Sequence, residues 1–139
     1  MSSKPTVLIT GASTGIGAVY ADRFAKRGHD LVLVARDRAK LETLAARLQK
    51  ENGVAVNILQ ADLTDQAQLG KVEALLKSDS RIGILVNNAG ASLAGTFIEQ
   101  TTEATAQLIG LNTIAVTRLA GAVAPRFVAE GKEIGRAHV

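Results

Sequence analysis

The chain has no cysteine and few aromatic residues, and both absences narrow what it can be. Without cysteine, a disulfide scaffold and any thiolate metal site are excluded. Aromatic residues make up only 3% of the 139 residues, whereas hydrophobic residues make up 47%. A core of Ala, Val, Ile and Leu is typical of parallel strands that are covered on both faces. We therefore expect a folded domain or a piece of one, and not a disordered chain.

Other classes of protein are disfavoured by what the charge and hydropathy patterns lack. The net charge is +3, but there is no basic block and no interleaved aromatic residue for base stacking, so we expect no nucleic-acid partner. No apolar run reaches the roughly 20 residues that a membrane-spanning helix needs. Residues 1–6 contain no apolar segment of the kind found in signal peptides. His29 and His138 have no partners at ligand spacing, so no metal is expected. These patterns predict a cytoplasmic protein that does not enter a membrane.

The hydrophobic periodicity alternates between short apolar runs and longer segments with helical spacing. The apolar runs predict strands at residues 6–10, 31–34, 54–59 and 82–86. The segments between them predict helices at residues 18–27, 38–51 and 64–77, and a longer helix runs from Thr101 or Thr102 to about Glu130. Thr64 is the predicted N-cap of the third helix, and Pro125 should kink or weaken the long helix. Strands that alternate with helices predict an α/β fold with a parallel sheet and helices on both faces.

A glycine-rich run, Thr10-Gly11-Ala12-Ser13-Thr14-Gly15-Ile16-Gly17, joins the first strand to the first helix. Glycines at this spacing allow a sharp turn and let the backbone approach a ligand closely. The start of the helix directs free N–H groups and the positive end of its dipole at that ligand. The run therefore indicates a phosphate, most often the pyrophosphate of a dinucleotide. The alternative is a tight strand-to-helix turn with no ligand. The run is not a Walker A loop, because no Lys-Ser or Lys-Thr follows it.

Three further motifs follow in order. Asp62-Leu63 comes after the third strand, Asn87-Asn88-Ala89-Gly90 comes after the fourth, and Asn112 lies within the long helix. Together with the glycine run, these motifs resemble those of the short-chain dehydrogenase/reductase family. The resemblance implies a Rossmann-type doubly wound parallel sheet, truncated after about four strands in the order 3-2-1-4.

The resemblance also assigns roles to individual residues. Asp62 would accept a hydrogen bond from the adenine amino group, Leu63 would lie near the adenine ring, and Asn112 would be a catalytic asparagine that holds a water in a proton relay. The remaining cofactor-binding positions that it implies are Gly11, Ser13, Thr14, Gly15, Ile16, Gly17, Asn88, Ala89 and Gly90.

The end of the second strand should decide which nicotinamide cofactor binds. An acidic residue there would bond the ribose 2′-hydroxyl of NAD, but this chain has Ala35 followed by Arg36. An arginine can bind a 2′-phosphate through its planar, charged guanidinium. We therefore expect NADP in preference to NAD. The alternatives are that Arg36 only opens a solvated helix, or that Asp37 occupies the deciding position.

The catalytic serine, tyrosine and lysine implied by the family are not found in this chain. Its one tyrosine, Tyr20, lies in the first helix and is followed four residues later by Phe24 and not by a lysine. We expect the catalytic tyrosine to lie beyond Val139, so this chain by itself should have no turnover. The fourth strand would then be an open edge of the sheet, and we expect instability or aggregation.

The last residues do not follow the pattern of the family. We interpret residues 1–132 as the N-terminal part of a dinucleotide-binding domain and residues 133–139 as a tail with no strand pattern. With one choice of codons, that tail matches a common sequencing-library adapter, so we interpret it as a read-through artefact. Inspection of the coding DNA would test this hypothesis.

The resemblance implies an oxidoreductase that moves hydride between NADP(H) and a small alcohol or ketone. The parent protein would be a homo-oligomer, either a dimer or a tetramer. One alternative is a non-catalytic dinucleotide-binding regulator on the same fold. Another is a flavin- or sulfonium-cofactor enzyme, against which the Asn-Asn-Ala-Gly run argues.

Overall fold

One parallel sheet organises the part of the chain that the computed structural model describes, which is residues 4–131 and 133–136. Its strands lie in the order β3-β2-β1-β4-β5. They are β1 (Thr6–Thr10), β2 (Leu31–Ala35), β3 (Val56–Gln60), β4 (Ile82–Asn87) and β5 (Glu133–Arg136). The helices are α1 (Gly15–Lys26), α2 (Arg38–Asn52), α3 (Gln66–Ser78), α4 (Thr102–Ile109) and α5 (Val116–Glu130), with a 3₁₀ turn at Phe97–Glu99 and a π-helical segment at Gly110–Ala115. The predicted parallel sheet and the order 3-2-1-4 of its first four strands are confirmed.

The helices cover both faces of the sheet, as a doubly wound fold requires. On one face, α1 and α2 bury a cluster that includes Ala21, Leu41 and Leu48 against the strands. On the other face, α3 and α5 bury a second cluster that includes Val72 and Phe127. The strand order reverses between the neighbouring strands β1 and β4: the connections from β1 to β2 and β3 cross one face of the sheet, and the connection to β4 crosses the other. The carboxyl ends of β1 and β4 therefore open into a crevice.

Helix α1 packs onto the sheet through its smallest residues. Gly17, Ala21 and Ala25 are buried, whereas the larger Val19 and Tyr20 on the same helix remain 54% and 37% exposed. Small side chains bring the helix axis close to the strands. This close approach places the first turn of α1 directly at the end of β1.

Aspartates cap the two helices that follow β2 and β3. The Asp37 carboxylate accepts a hydrogen bond from the Lys40 N–H at 3.1 Å, and the Asp65 carboxylate accepts one from the Gln68 N–H at 3.0 Å. The prediction of Thr64 as the N-cap of α3 was therefore wrong by one residue. Aspartate is a slightly better cap than threonine, and the Thr64 hydroxyl bonds elsewhere.

The long helix that the sequence predicts is interrupted in its middle. Thr101 caps its start, with its hydroxyl accepting from the Ala104 N–H at 3.1 Å. The irregularity lies at Gly110–Ala115, where the helix widens into π geometry, and α5 continues through Pro125. Pro125 is thus not the end of a helical element, although it cannot donate a backbone hydrogen bond.

By length and composition alone, the helical stretch Thr102–Glu130 could cross a membrane. The stretch contains no uninterrupted run of about 20 apolar residues, but its mean hydropathy is high although polar residues interrupt it. In the fold, Leu119, Val123 and Phe127 of this stretch pack onto the sheet and are almost fully buried. These three residues lie on one face, as in an amphipathic helix that covers a sheet.

A short strand, β5, lies beside β4, where the sequence pattern predicts an open edge. Glu133–Arg136 pairs in parallel with residues Ile84–Asn87. That expectation was wrong for this stretch, because strand pairing uses backbone N–H and C=O groups that every non-proline residue carries. Four residues are also too few to show a period-two pattern of side chains. Residues 137–139, the rest of the proposed tail, lie outside the described residues.

Candidate active site

A cleft of about 680 Å³ lies at the carboxyl ends of β1, β2, β3 and β4. This volume falls within the roughly 300–1,000 Å³ typical of small-molecule sites. Most of the residues that were predicted to bind a cofactor line it. They are Gly11, Ser13, Thr14, Gly15, Ile16, Arg36, Asp62, Leu63, Asn88, Ala89 and Gly90.

The three glycines of the loop after β1 have different physical tasks. Gly11 and Gly15 have φ values of +62° and +57°, a region that side chains with a Cβ rarely adopt. A Cβ on Gly15 would meet no atom within 4 Å. The backbone therefore turns sharply beside open space, as a phosphate cradle requires.

Gly17 does not line the cleft but lies where the first turn of α1 contacts the Gly11 backbone and the Asn88 side chain. A Cβ at this position would lie 2.1 Å from the Gly11 carbonyl oxygen and 2.5 Å from Nδ2 of Asn88. No side chain fits there without moving the loop or the helix. Gly17 thus sets how closely the first turn of α1 approaches the cleft.

The hydroxyl of Thr10 joins the two loops that form the centre of the cleft. Its Oγ1 accepts hydrogen bonds from the N–H groups of Asn88 and Ala89, at 3.0 and 2.9 Å. Asn88 in turn donates from Nδ2 to the Gly11 carbonyl at 3.1 Å. These bonds connect the end of β4 to the end of β1, so the glycine loop and the Asn88–Gly90 turn hold a fixed relation.

Positive charge lies at the end of β2. Arg36 and Lys40 both line the cleft, and Arg36 forms no ion pair among those found in the described part of the chain. Asp37 also lines the cleft, but its carboxylate caps α2. Asp37, the acidic candidate for the position that selects the cofactor, therefore has a structural role as the N-cap of α2. Two cations beside the cleft fit an anionic group such as a 2′-phosphate.

Asp62 lines the cleft just after β3, beside the end of β2. Its Oδ1 accepts hydrogen bonds from the Thr64 N–H at 2.9 Å and the Thr64 hydroxyl at 2.7 Å. The Thr64 hydroxyl, followed by the Thr64 N–H and the nearby charge of Arg36, holds the pKa of the Asp62 carboxyl below its usual range. An ionised carboxylate can only accept hydrogen bonds, so this wall favours a ligand that donates one.

Asn112 lies in the π-helical segment. Its Oδ1 accepts from the Ala91 N–H at 2.8 Å, and its Nδ2 donates to the Ala91 carbonyl at 2.7 Å. The side chain is thus fastened to the backbone next to Gly90, but it does not line the cleft. The π segment turns this amide toward the loop after β4, where a regular α-helix would place it differently.

The cleft is also lined by residues that the sequence motifs do not predict, namely Val34, Ala61, Thr64 and Leu111. Ala61 and Thr64 flank the Asp62-Leu63 pair, so their proximity could have been inferred from that motif. Leu111 reaches the cleft from the π segment, which no pattern of the sequence predicts.

Among the residues the structure describes, no group of three or more His, Cys, Asp or Glu side chains could hold a metal ion. His138 lies outside those residues.

Comparison with a family model decides the family. The model described as short chain dehydrogenase matches residues 5–136. The chain belongs to the short-chain dehydrogenase family. The match includes the glycine loop, the Asp62-Leu63 pair, the Asn87–Gly90 turn and Asn112.

Solved structures of dehydrogenases share the fold closely. A short-chain dehydrogenase from Sphingobium yanoikuyae, solved in complex with NADPH, is 63% identical with a TM-score of 0.94, and the match covers 96% of this chain and 53% of that one. A bulky-bulky ketone specific alcohol dehydrogenase from Comamonas testosteroni is 53% identical with a TM-score of 0.94, over 96% of this chain and 54% of that one.

A curated relative, the very-long-chain 3-oxoacyl-CoA reductase of Yarrowia lipolytica, is 32% identical over 130 residues, which are 91% of this chain and 33% of the reductase. The chain thus spans about half of these solved structures and a third of this relative.

Proposed function

We propose that this chain forms the cofactor-binding half of an NADP(H)-dependent oxidoreductase that transfers hydride between the cofactor and an alcohol or ketone. The observation that carries the proposal is the cleft itself. It combines a glycine turn beside open space, two cations in the segment that follows β2 and an ionised carboxylate just after β3. The NADPH complex of the Sphingobium yanoikuyae relative supports the choice of cofactor.

Each part of the cleft matches one part of such a cofactor. The glycine loop and the N-terminus of α1 would bind the pyrophosphate, because free N–H groups and the helix dipole attract negative charge. Arg36 and Lys40 would bind the 2′-phosphate, and Asp62 would accept a hydrogen bond from the adenine amino group. The Asn88–Gly90 turn would lie along the nicotinamide ribose. When bound, the cofactor supplies or accepts the hydride.

Asn112 would support the reaction by fixing the loop that begins at Ala91. Its two hydrogen bonds to the Ala91 backbone hold this loop beside the end of β4, next to the nicotinamide end of the cleft. By family resemblance, the proton donor would be a tyrosine assisted by a lysine, in a part of the parent protein beyond Val139. We therefore propose that the 139-residue chain binds cofactor without turnover.

The parent is proposed to be a dimer or tetramer, which the exposed Ile109 and Ile114 on the long helix support. The cytoplasmic location stays a prediction.

Substitution of Arg36 tests the choice of cofactor. Arg36→Gln should weaken NADPH binding by about tenfold to a hundredfold, because a hydrogen bond between charged groups contributes roughly 1.5–3 kcal/mol. NADH binding should change little. The measurement is titration of both cofactors, followed by the fluorescence of the reduced nicotinamide.

Arg47→Gln is the matched control. It also removes one positive charge, but Arg47 lies in α2, pairs with Asp22 and Glu51 and does not line the cleft. Equal affinity of the unmodified chain for NADH and NADPH would contradict the proposed cofactor preference. The non-catalytic regulator is distinguished by the full-length coding sequence, which would then continue without a Tyr-x-x-x-Lys motif.

A further inference from the structure

We propose that Thr64 is a positioning residue that makes the cleft selective for adenine over hypoxanthine, the base in which a carbonyl oxygen replaces the amino group. The proposal rests on the proposed function, since it assigns Asp62 to the base of a dinucleotide.

The geometry shows that Thr64 occupies one oxygen of Asp62 and not the other. Both Thr64 hydrogen bonds, from N–H and hydroxyl, end on Oδ1. Within the described part of the chain, no hydrogen bond or ion pair is formed to Oδ2 of Asp62. Because Asp62 lines the cleft, Oδ2 is the oxygen left to a ligand.

The backbone of the same segment is fixed as well. The Asp62 N–H donates to Oε1 of Gln68 at 2.7 Å, and the Gln68 N–H donates to the Asp65 carboxylate at 3.0 Å. The segment between β3 and α3 is thereby tied to the first turn of α3. With the backbone held in this way, the remaining freedom of Asp62 is rotation of its side chain, and Thr64 restrains that rotation.

The charge of Asp62 gives this orientation a chemical consequence. The carboxylate is ionised at neutral pH, because the Thr64 hydroxyl and N–H hold the pKa of Asp62 down. An ionised Oδ2 accepts a hydrogen bond from an amino group but repels a carbonyl oxygen. At this edge, adenine presents an amino group and hypoxanthine presents a carbonyl oxygen. Because both oxygens of an ionised carboxylate are acceptors, the contrast depends on the carboxylate facing the base, and rotation about χ1 that turns it out of the cleft would weaken the discrimination.

The test compares two cofactors that differ only in the base. The probes are NADPH and reduced nicotinamide hypoxanthine dinucleotide phosphate, both titrated by nicotinamide fluorescence. Thr64→Val removes the hydroxyl but keeps the N–H and the volume. It should reduce the preference for NADPH by about fivefold to tenfold, the scale of one hydrogen bond to a charged group. Thr64→Ser should restore the preference.

A second variant tests the orientation directly. In Asp62→Asn, Oδ1 would still accept from Thr64, so the amide NH₂ would take the place of Oδ2. The preference should then shift toward hypoxanthine, and this shift should be lost in Asp62→Asn/Thr64→Val. Thr43→Val is the matched control, because Thr43 donates only to the Ala39 carbonyl on the exposed side of α2. Circular dichroism establishes that each variant is folded.

The outcomes separate the two proposals. Equal weakening of both cofactors by Thr64→Val, or an unchanged ratio, would overturn the positioning role while leaving the cofactor assignment intact. Failure of the unmodified, folded chain to bind NADPH would overturn the proposed function and this inference together.

Discussion

Gly17→Ala should loosen the cleft and destabilise the fold, although alanine is the better helix former. The added Cβ would lie 2.1 Å from the Gly11 carbonyl oxygen, where ordinary contact begins at 3.4 Å. It would also lie 2.5 Å from Nδ2 of Asn88, the group that donates to that same carbonyl. The helix or the loop must therefore move by more than about 1 Å, and the hydrogen bond between Asn88 and Gly11 breaks.

Three contributions set the expected change in the free energy of unfolding, and two of them are destabilising. Overpacking of a rigid contact costs about 1–3 kcal/mol, and the lost hydrogen bond adds about 1 kcal/mol. Replacing a helical glycine by alanine returns about 1 kcal/mol. We expect the free energy of unfolding to fall by about 2 kcal/mol, with a loss of NADPH affinity.

Urea denaturation followed by circular dichroism measures this change, and Gly70→Ala is the matched control. Gly70 is also helical, but a Cβ there would meet nothing within 4 Å. That variant should be more stable than the unmodified chain by about 0.5–1 kcal/mol. If Gly17→Ala were stabilised like Gly70→Ala and bound NADPH normally, the close contact between α1 and the glycine loop would be refuted.

Two further predictions concern the edges of the site and the acid stability of the fold. Asn112→Ala should accelerate hydrogen exchange at the Ala91 amide, which loses its acceptor, while amides in β1 keep their protection; unchanged exchange at Ala91 would contradict the role of Asn112. The Arg81 guanidinium donates hydrogen bonds to the Asp79 carboxylate and holds the pKa of Asp79 below its usual range. The stability that this carboxylate contributes is therefore fully present above the unfolded pKa of about 3.9. It is lost as the pH falls through the lower pKa of the folded state. Asp79→Asn should therefore flatten the decline of the free energy of unfolding below about pH 4, as measured by urea titrations at several pH values; an equally steep decline in the variant would show that other groups carry it.

The sequence predicted the elements whose side chains carry a periodic signal. The first four strands, the helices between them and the cleft followed from apolar runs, glycines and family motifs. The bounds of β3 were displaced, because Val54 resembles a strand residue although the strand begins at Val56. The true cap of α3 was missed because Thr64 and Asp65 are both good caps, and only the folded backbone decides between them.

What the sequence could not predict depends on contacts between distant residues or on backbone groups alone. No local pattern joins Thr10 to Asn88 and Ala89, since these residues meet only when β1 lies beside β4. The pairing of β5 uses main-chain groups, so its side chains carry no signal. The two bonds from Thr64 to Asp62 are local, but their meaning depends on the cleft that forms around them.

The π-helical segment also determines how the long helix is phased. In an α-helix each residue advances by about 100°, so the one extra residue that a π turn accommodates rotates everything after it by about that angle. Leu119, Val123 and Phe127, which pack onto the sheet, lie after this rotation. Removing a single residue between Gly110 and Ala115 would close the bulge and turn that stripe away from the core. The six residues around Asn112 thus act as an angular spacer, and their number is as constrained as their identity.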